Sequence, residues 1–179
     1  MAVDAGSATT QAVRARTVTW EDPLIGAGAA VSQTGLEYLR SIASGATPPP
    51  PIALLLGMEL SSVEEGRATF GLEVGEHLYN PIGGVHGGVL ATLLDSALGC
   101  AVHSVLPAGV GYGTVDLSVT LLRPVTRDTG RLRCEAETIH VGSTIATARA
   151  QVVDAAGRIC ATATTTCLIR RHKNGREAS

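Results

Sequence analysis

Between Tyr79 and Cys100 the chain reads YNPIGGVHGGVLATLLDSALGC: four glycines surround His86, and an apolar run follows that holds one carboxylate, Asp95. A carboxylate can take a proton or attack an electrophile. Burying one without a partner is costly enough that it shifts its pKa or recruits hydrogen bonds. Gly87 and Gly88 open the same run. If a helix begins there, its first backbone N–H groups lack partners and lie at the positive end of the helix dipole, where an oxygen gaining negative charge is stabilised. The plainer reading is that the glycines only permit a tight entry into a helix and that Asp95 is an ordinary hydrogen-bonded group.

The elements that must position these residues follow from periodicity. A long helix is expected over roughly residues 86–106, opened by Gly87 and Gly88 and closed by Pro107 and Gly109. Leu90, Leu93, Leu94, Ala97, Leu98, Ala101, Val102 and Val105 cover most of its circumference, so it is largely buried. Gly88, Thr92, Asp95, Ser96, Gly99 and His103 share the remaining arc, about 100° wide at 3.6 residues per turn. Period two governs the rest. Ala68, Phe70, Leu72 and Val74 alternate with polar residues, as do Val115, Leu117, Val119 and Leu121, and then Leu132, Cys134 and Ala136. Two further strands are expected over TIATARAQVV and RICATATTTCLI, joined by a turn at DAAG, and a weaker first strand over Met58 to Ser62. The fold class is therefore α+β, with an antiparallel sheet of five or six strands curled around one long helix, in the order strand, strand, helix, four strands.

Length and composition narrow the alternatives. The 179 residues suffice for one domain with a real core. Hydrophobic residues make up 45% but aromatic ones only 3%, so any cavity is walled mainly by small aliphatic side chains. A net charge of −2 gives no general attraction to nucleic acid or to an anionic membrane. Four cysteines without CxxC spacing, and five histidines with no ligand spacing to them, indicate reduced core thiols and no metal. The N-terminal residues lack a signal-peptide pattern and no run is long enough to span a bilayer, so a cytoplasmic location is expected. Residues 1–51 are expected to form a mobile leader (about 1–30), a short helix on Leu36, Leu39 and Ile42, and a stiff Pro-rich spacer at TPPPP. The main domain follows over 52–170 and a basic tail over 171–179.

NPIGGVHGG, then LLDSALGCA, then YGTVDLSVTLLRPV resemble the hot-dog-fold thioesterases of the PaaI-like group, over about residues 52–169. The asparagine, the His-Gly-Gly and the helix aspartate occurring together in order make the resemblance specific; a bare HGG would not. It implies a sheet wrapped around the helix, subunits joined sheet edge to sheet edge as a homodimer or homotetramer, and hydrolysis of acyl-CoA or aryl-CoA thioesters at the subunit interface without a metal or other cofactor. By the same resemblance Gly87 is the oxyanion donor, and Asp95 is the general base on water or the direct nucleophile. Asn80 holds the loop or the attacking water. His86 supports the loop or, less simply, acts as base. Thr114 orients the water or carboxylate, or is an ordinary strand threonine. Gly88, Thr92, Ser96 and Gly113 would line the substrate site. At about 1.5 Å rise per residue Gly87 and Asp95 lie roughly 12 Å apart along the helix, too far to serve one carbonyl within a single subunit; a site shared between two chains resolves the distance.

One departure stands out. Where many relatives of this group carry basic residues after the fifth-strand glycine, this chain has Ser143 and Thr144, which leaves CoA phosphates to Arg123, Arg149 or the tail. His77, His103, His140 and His172 are expected to be structural or solvated. Two other functions fit the pattern less well: a hydratase or dehydratase, which would place Asp and His in one close motif, and a non-catalytic acyl-CoA sensor.

Overall fold

The computed structural model describes residues 13–171. Four helices and six strands follow in the order α1 (Pro23–Ser32), α2 (Gly35–Ala43), α3 (Pro51–Leu56), β1 (Met58–Glu64), β2 (Arg67–Leu72), α4 (Gly87–His103), β3 (Val110–Leu121), β4 (Leu132–Val141), β5 (Ile145–Val153) and β6 (Ile159–Arg171). All pairings are antiparallel, and the sheet runs β1-β2-β4-β5-β6-β3. Its concave face wraps α4, which touches every strand. Leu93, Leu94, Ala97, Leu98, Ala101 and Val102 of α4 are fully buried against Leu72, Leu132, Cys134, Val152 and Cys167 of the sheet. The expected architecture and order of elements hold, with six strands rather than five.

Three local readings change. The leader expected over residues 1–30 contains α1. Asp22 caps it by accepting the Leu24 N–H at 2.9 Å, and Pro23 supplies a preset first turn. Its first twelve residues lie outside the described chain, as do tail residues 172–179, His172 among them. The TPPPP run is not all spacer: Pro51 begins α3, which stops at Gly57 in a left-handed conformation (φ 78°). The short helix expected from Leu36, Leu39 and Ile42 is α2, opened by a capping box in which Thr34 and Glu37 each bond the other's backbone.

The third change concerns β3. Regular alternation placed Val115, Leu117, Val119 and Leu121 on one inward face. Instead the register against β6 slips between Thr114 and Asp116, so Val115 is an extra residue in a β-bulge. Val110, Tyr112 and Thr114 face α4 before it; Leu117 and Val119 face inward after it. Val115 is left 60% exposed. The buried hydroxyl of Thr165 donates to the Asp116 carbonyl at 2.7 Å, satisfying a backbone group at the irregularity. β3 is also an outer strand: its far edge pairs with no strand among the described residues.

Candidate active site

The loop from Tyr79 to His86 is built by its own polar groups. The Asn80 side-chain oxygen accepts the N–H groups of Ile82 at 3.0 Å and Gly84 at 3.2 Å. Gly83 takes the positive φ that the turn needs (86°). The His86 N–H bonds the Leu78 carbonyl and the Val85 N–H bonds the Val125 carbonyl, so the segment is pinned on both sides as it enters α4. His86 itself is the N-cap: its Nδ1 accepts the Gly88 N–H at 2.9 Å, which assigns the ring proton to Nε2. Asn80 and His86 thus hold the loop through these bonds.

This capping leaves the Gly87 N–H with no acceptor among the described residues, at the positive end of a 17-residue helix. A Cβ built at Gly87 would lie 2.7 Å from Leu121 Cδ1, so the glycine lets the end of β3 pack close over the helix start. Thr92 turns its hydroxyl back to the Gly88 carbonyl at 2.9 Å. Half-buried Ser96 lies one residue beyond Asp95.

Two turns along α4, half-buried Asp95 accepts a hydrogen bond from the Thr114 hydroxyl at 3.1 Å. The bulge is the cause: by adding one residue after Thr114 it sets that side chain on the same face as Tyr112 while the strand beyond keeps its apolar residues inward. Sequence reading missed Tyr112, two residues before Thr114. Its phenol packs onto Gly99, one turn beyond Asp95, in a place where only glycine fits. Burial, and then the neighbouring Cys100, Cys167 and Asp95, push that phenol well above its ordinary pKa. Burial and the Asp95 charge likewise push the Cys100 thiol up to about 12, so it is no nucleophile at neutral pH. Tyr112 also stacks on His103, with centroids 5.6 Å apart, and His103 stacks on Tyr38 of α2 at 5.5 Å. The N-terminal helices therefore reach the carboxylate through three rings. Only the residue pair YxT on a period-two strand signalled Tyr112, and that pattern is common.

Within one chain the structure brings together Asp95, Thr114, Gly113 and Tyr112, and separately Asn80, His86, Gly87 and Gly88. It does not join the two groups. Arg123 sits beyond the Leu121 end of β3, its guanidinium bonded to the Ile159 carbonyl at 2.8 Å. Ser143 lies in the β4–β5 turn, where Thr144 accepts the Ile169 N–H beside the Tyr112 end. Arg149 pairs with Glu137 on the outer face. A polar trough of about 820 Å³ on that outer face, lined by Arg67, Ser118, Glu137, Arg149 and Thr164 among others, contains none of the candidate residues except Arg149.

The thioesterase superfamily model matches residues 82–161, a little under half of the chain, which span α4, β3, β4 and β5. A Halobacterium salinarum protein provisionally named an esterase is 39% identical over 103 residues, covering 55% of this chain and 66% of that protein, just under two thirds of its length. The 1,4-dihydroxy-2-naphthoyl-CoA hydrolase of Listeria monocytogenes is 27% identical over 119 residues, 66% of this chain and 94% of the relative. Among solved structures, the PaaI protein of the E. coli phenylacetic acid degradation operon superposes with a TM-score of 0.65 over 80% of this chain and 98% of its own, at 22% identity, a likeness of fold. No described helix is long and apolar enough to cross a membrane. The six-stranded antiparallel sheet wrapped around α4 is the hot-dog fold of the PaaI structure, and residues 82–161 carry the match to the thioesterase superfamily.

Proposed function

We propose that this chain hydrolyses a CoA thioester, acyl or aryl, at a site composed of Asp95 and Thr114 from one subunit and the Gly87 N–H from another. The observation that carries the reading is the Thr114–Asp95 hydrogen bond at the unpaired edge of β3, with the free Gly87 N–H about 12 Å away along the same helix. Each half of the chemistry is present in one chain, and neither is complete.

In this site Asp95 takes a proton from water as the water oxygen bonds to the thioester carbon, or its own oxygen attacks and water releases the acyl group afterwards. In either route the carbonyl oxygen becomes an oxyanion facing the partner's helix start, whose N–H and dipole stabilise it. Collapse breaks the C–S bond, and the thiolate of CoA takes up the proton. Thr114 fixes the carboxylate orientation, while Asn80 and His86 hold the loop that presents Gly87. Gly88, Thr92 and Ser96 follow on the same helix, and Gly113 and Ser143 border the Asp95 end. Arg123 or the basic tail meets the CoA phosphates, and the enzyme works in the cytoplasm.

Release of free CoA from short, medium, long and aryl thioesters, followed with a thiol reagent, tests the reading. We expect turnover in the wild type and a fall of about 10²–10⁴-fold in Asp95→Asn, the scale of a general base or nucleophile. Undiminished activity in that variant would remove Asp95 from the chemistry. Saturable binding without turnover would make the chain a CoA-ester sensor.

A further inference from the structure

We infer that Tyr112 is a positioning residue for the hydrolysis: its ring, braced by His103 and Tyr38, sets the start of β3 where Thr114 reaches Asp95. The inference rests on the roles proposed above for Asp95 and Thr114, and adds the residues that hold those two together.

The first part of β3 has little of its own to hold it. It reads Val110, Gly111, Tyr112, Gly113, Thr114, so Tyr112 is the only side chain between Val110 and Thr114. Glycines inside a strand bring no packing and add backbone freedom. The strand pairs with β6 on one side only, and the slip between Thr114 and Asp116 interrupts that ladder just past the segment. Between buried Val110 and Thr114, Tyr112 alone can anchor the segment on α4.

The seat of Tyr112 is defined. A Cβ at Gly99 would fall on the Tyr112 hydroxyl and within 2.9 Å of two ring carbons, so the ring occupies the space of a missing side chain. One turn further along α4 the His103 ring packs against it, with centroids 5.6 Å apart and planes tilted by 57°, a favourable geometry for ring pairs. His103 is braced in turn by Tyr38 of α2 at 5.5 Å. α2 is docked there by its own backbone: the Gly35 N–H donates to the Leu106 carbonyl at 2.9 Å. The turn before β3 is tied to α1, because the Gly109 N–H donates to the Val31 carbonyl at 3.1 Å.

Spacing converts this seat into a position for Thr114. Gly99 and Asp95 are four residues apart on α4, about 6 Å along the axis. Tyr112 and Thr114 are two residues apart on β3, about 6.5 Å along the strand and on one face. Seating the ring at Gly99 therefore delivers the hydroxyl to Asp95, where it donates at 3.1 Å. That bond has little slack, since a donor moved out to about 3.6 Å no longer makes it.

Tyr112→Leu, Tyr112→Phe, Tyr38→Leu, Thr114→Val and the double variant Tyr112→Leu with Thr114→Val test the inference. Each is assayed for kcat and KM by release of free CoA, with thermal unfolding recorded alongside. We expect Tyr112→Leu to lower kcat about tenfold while KM stays within about twofold, the mark of misplacement rather than lost binding. Tyr112→Phe, which keeps the ring, should restore most of the rate, and Tyr38→Leu should lower kcat about threefold. Once Thr114→Val has removed the bond, Tyr112→Leu should cost less than about twofold more. Wild-type kcat in Tyr112→Leu, or a loss that multiplies in full with that of Thr114→Val, would overturn the inference. So would a Tyr112→Phe as slow as Tyr112→Leu, which would move the role to the hydroxyl. If Tyr112→Leu does not fold, Tyr38→Leu carries the same comparison with Thr114→Val. Asp95→Asn keeps the two readings apart: full activity there removes the proposed chemistry, whereas its loss beside a fully active Tyr112→Leu removes only the role of Tyr112.

Discussion

The two edges of the sheet are managed in opposite ways. At one end β1 is seven residues long, slips register between Leu60 and Ser62, and is packed by α2 and α3. α2 is held there by buried Leu39 and by Gly35, which lies against the His103 backbone where no Cβ would fit. Arg131 reaches across from the start of β4 to Glu59 and Glu73, trimming the same edge with charge. At the other end β3 is twelve residues long and its edge is not covered by a helix among the described residues. Edge strands are normally shortened, charged, bulged or covered because they template association. The β1 edge uses these devices. The β3 edge spends its one bulge on aiming Thr114 at Asp95, and keeps an apolar border. One edge is closed within the chain, and the other is left open among the described residues.

The contrast can be broken most severely at β3. Ser118→Lys would set a charge in the middle of the exposed β3 edge; if a second chain docks there to complete the proposed site, light scattering should show single chains and kcat/KM should fall toward the level of Asp95→Asn. Leu39→Ala at the protected end should instead cost about 2–5 kcal/mol of stability, read by chemical denaturation, with the mass in solution unchanged. Thr114→Val keeps the strand and removes the hydroxyl. A hydrogen bond to a charged group is worth about 1.5–3 kcal/mol, so we expect roughly a ten- to hundredfold loss in kcat with an unchanged oligomer. The smallest effect belongs to Glu59→Lys. Breaking an exposed ion pair should alter stability by about 1 kcal/mol or less, with mass and activity as in the wild type. A large effect of Glu59→Lys on assembly would erase the distinction between the edges.

How much of this was readable beforehand depends on whether the signal was local. α4, β2 and β4 were legible because their apolar residues recur at the spacing of the element, and Ala68, Phe70, Leu132 and Cys134 are buried as that pattern requires. Asp95, Gly87 and Asn80 were legible as residue types in order. α1 was not, although Asp22 and Pro23 form a start signal. Its Leu24, Ile25 and Val31 remain exposed and show no amphipathic stripe to read. The bulge at Val115 was hidden for the opposite reason: Val115, Leu117, Val119 and Leu121 alternate without fault in the sequence, and only pairing with β6 reveals the slip. Tyr112 over Gly99 is a contact between residues on two elements that neither one's periodicity announces.

That extra residue on β3 also bears on how the gene can vary. A codon deleted at position 115 would remove the supernumerary residue and restore an even strand, in which Thr114 stays inward beside Asp95 and nearly every contact with β6 is preserved. Most single-codon losses inside a strand are eliminated because the protein no longer folds. Here the loss would remove only the one residue the ladder with β6 does not use, so a β3 one residue shorter at this point would keep both the fold and the bond between Thr114 and Asp95.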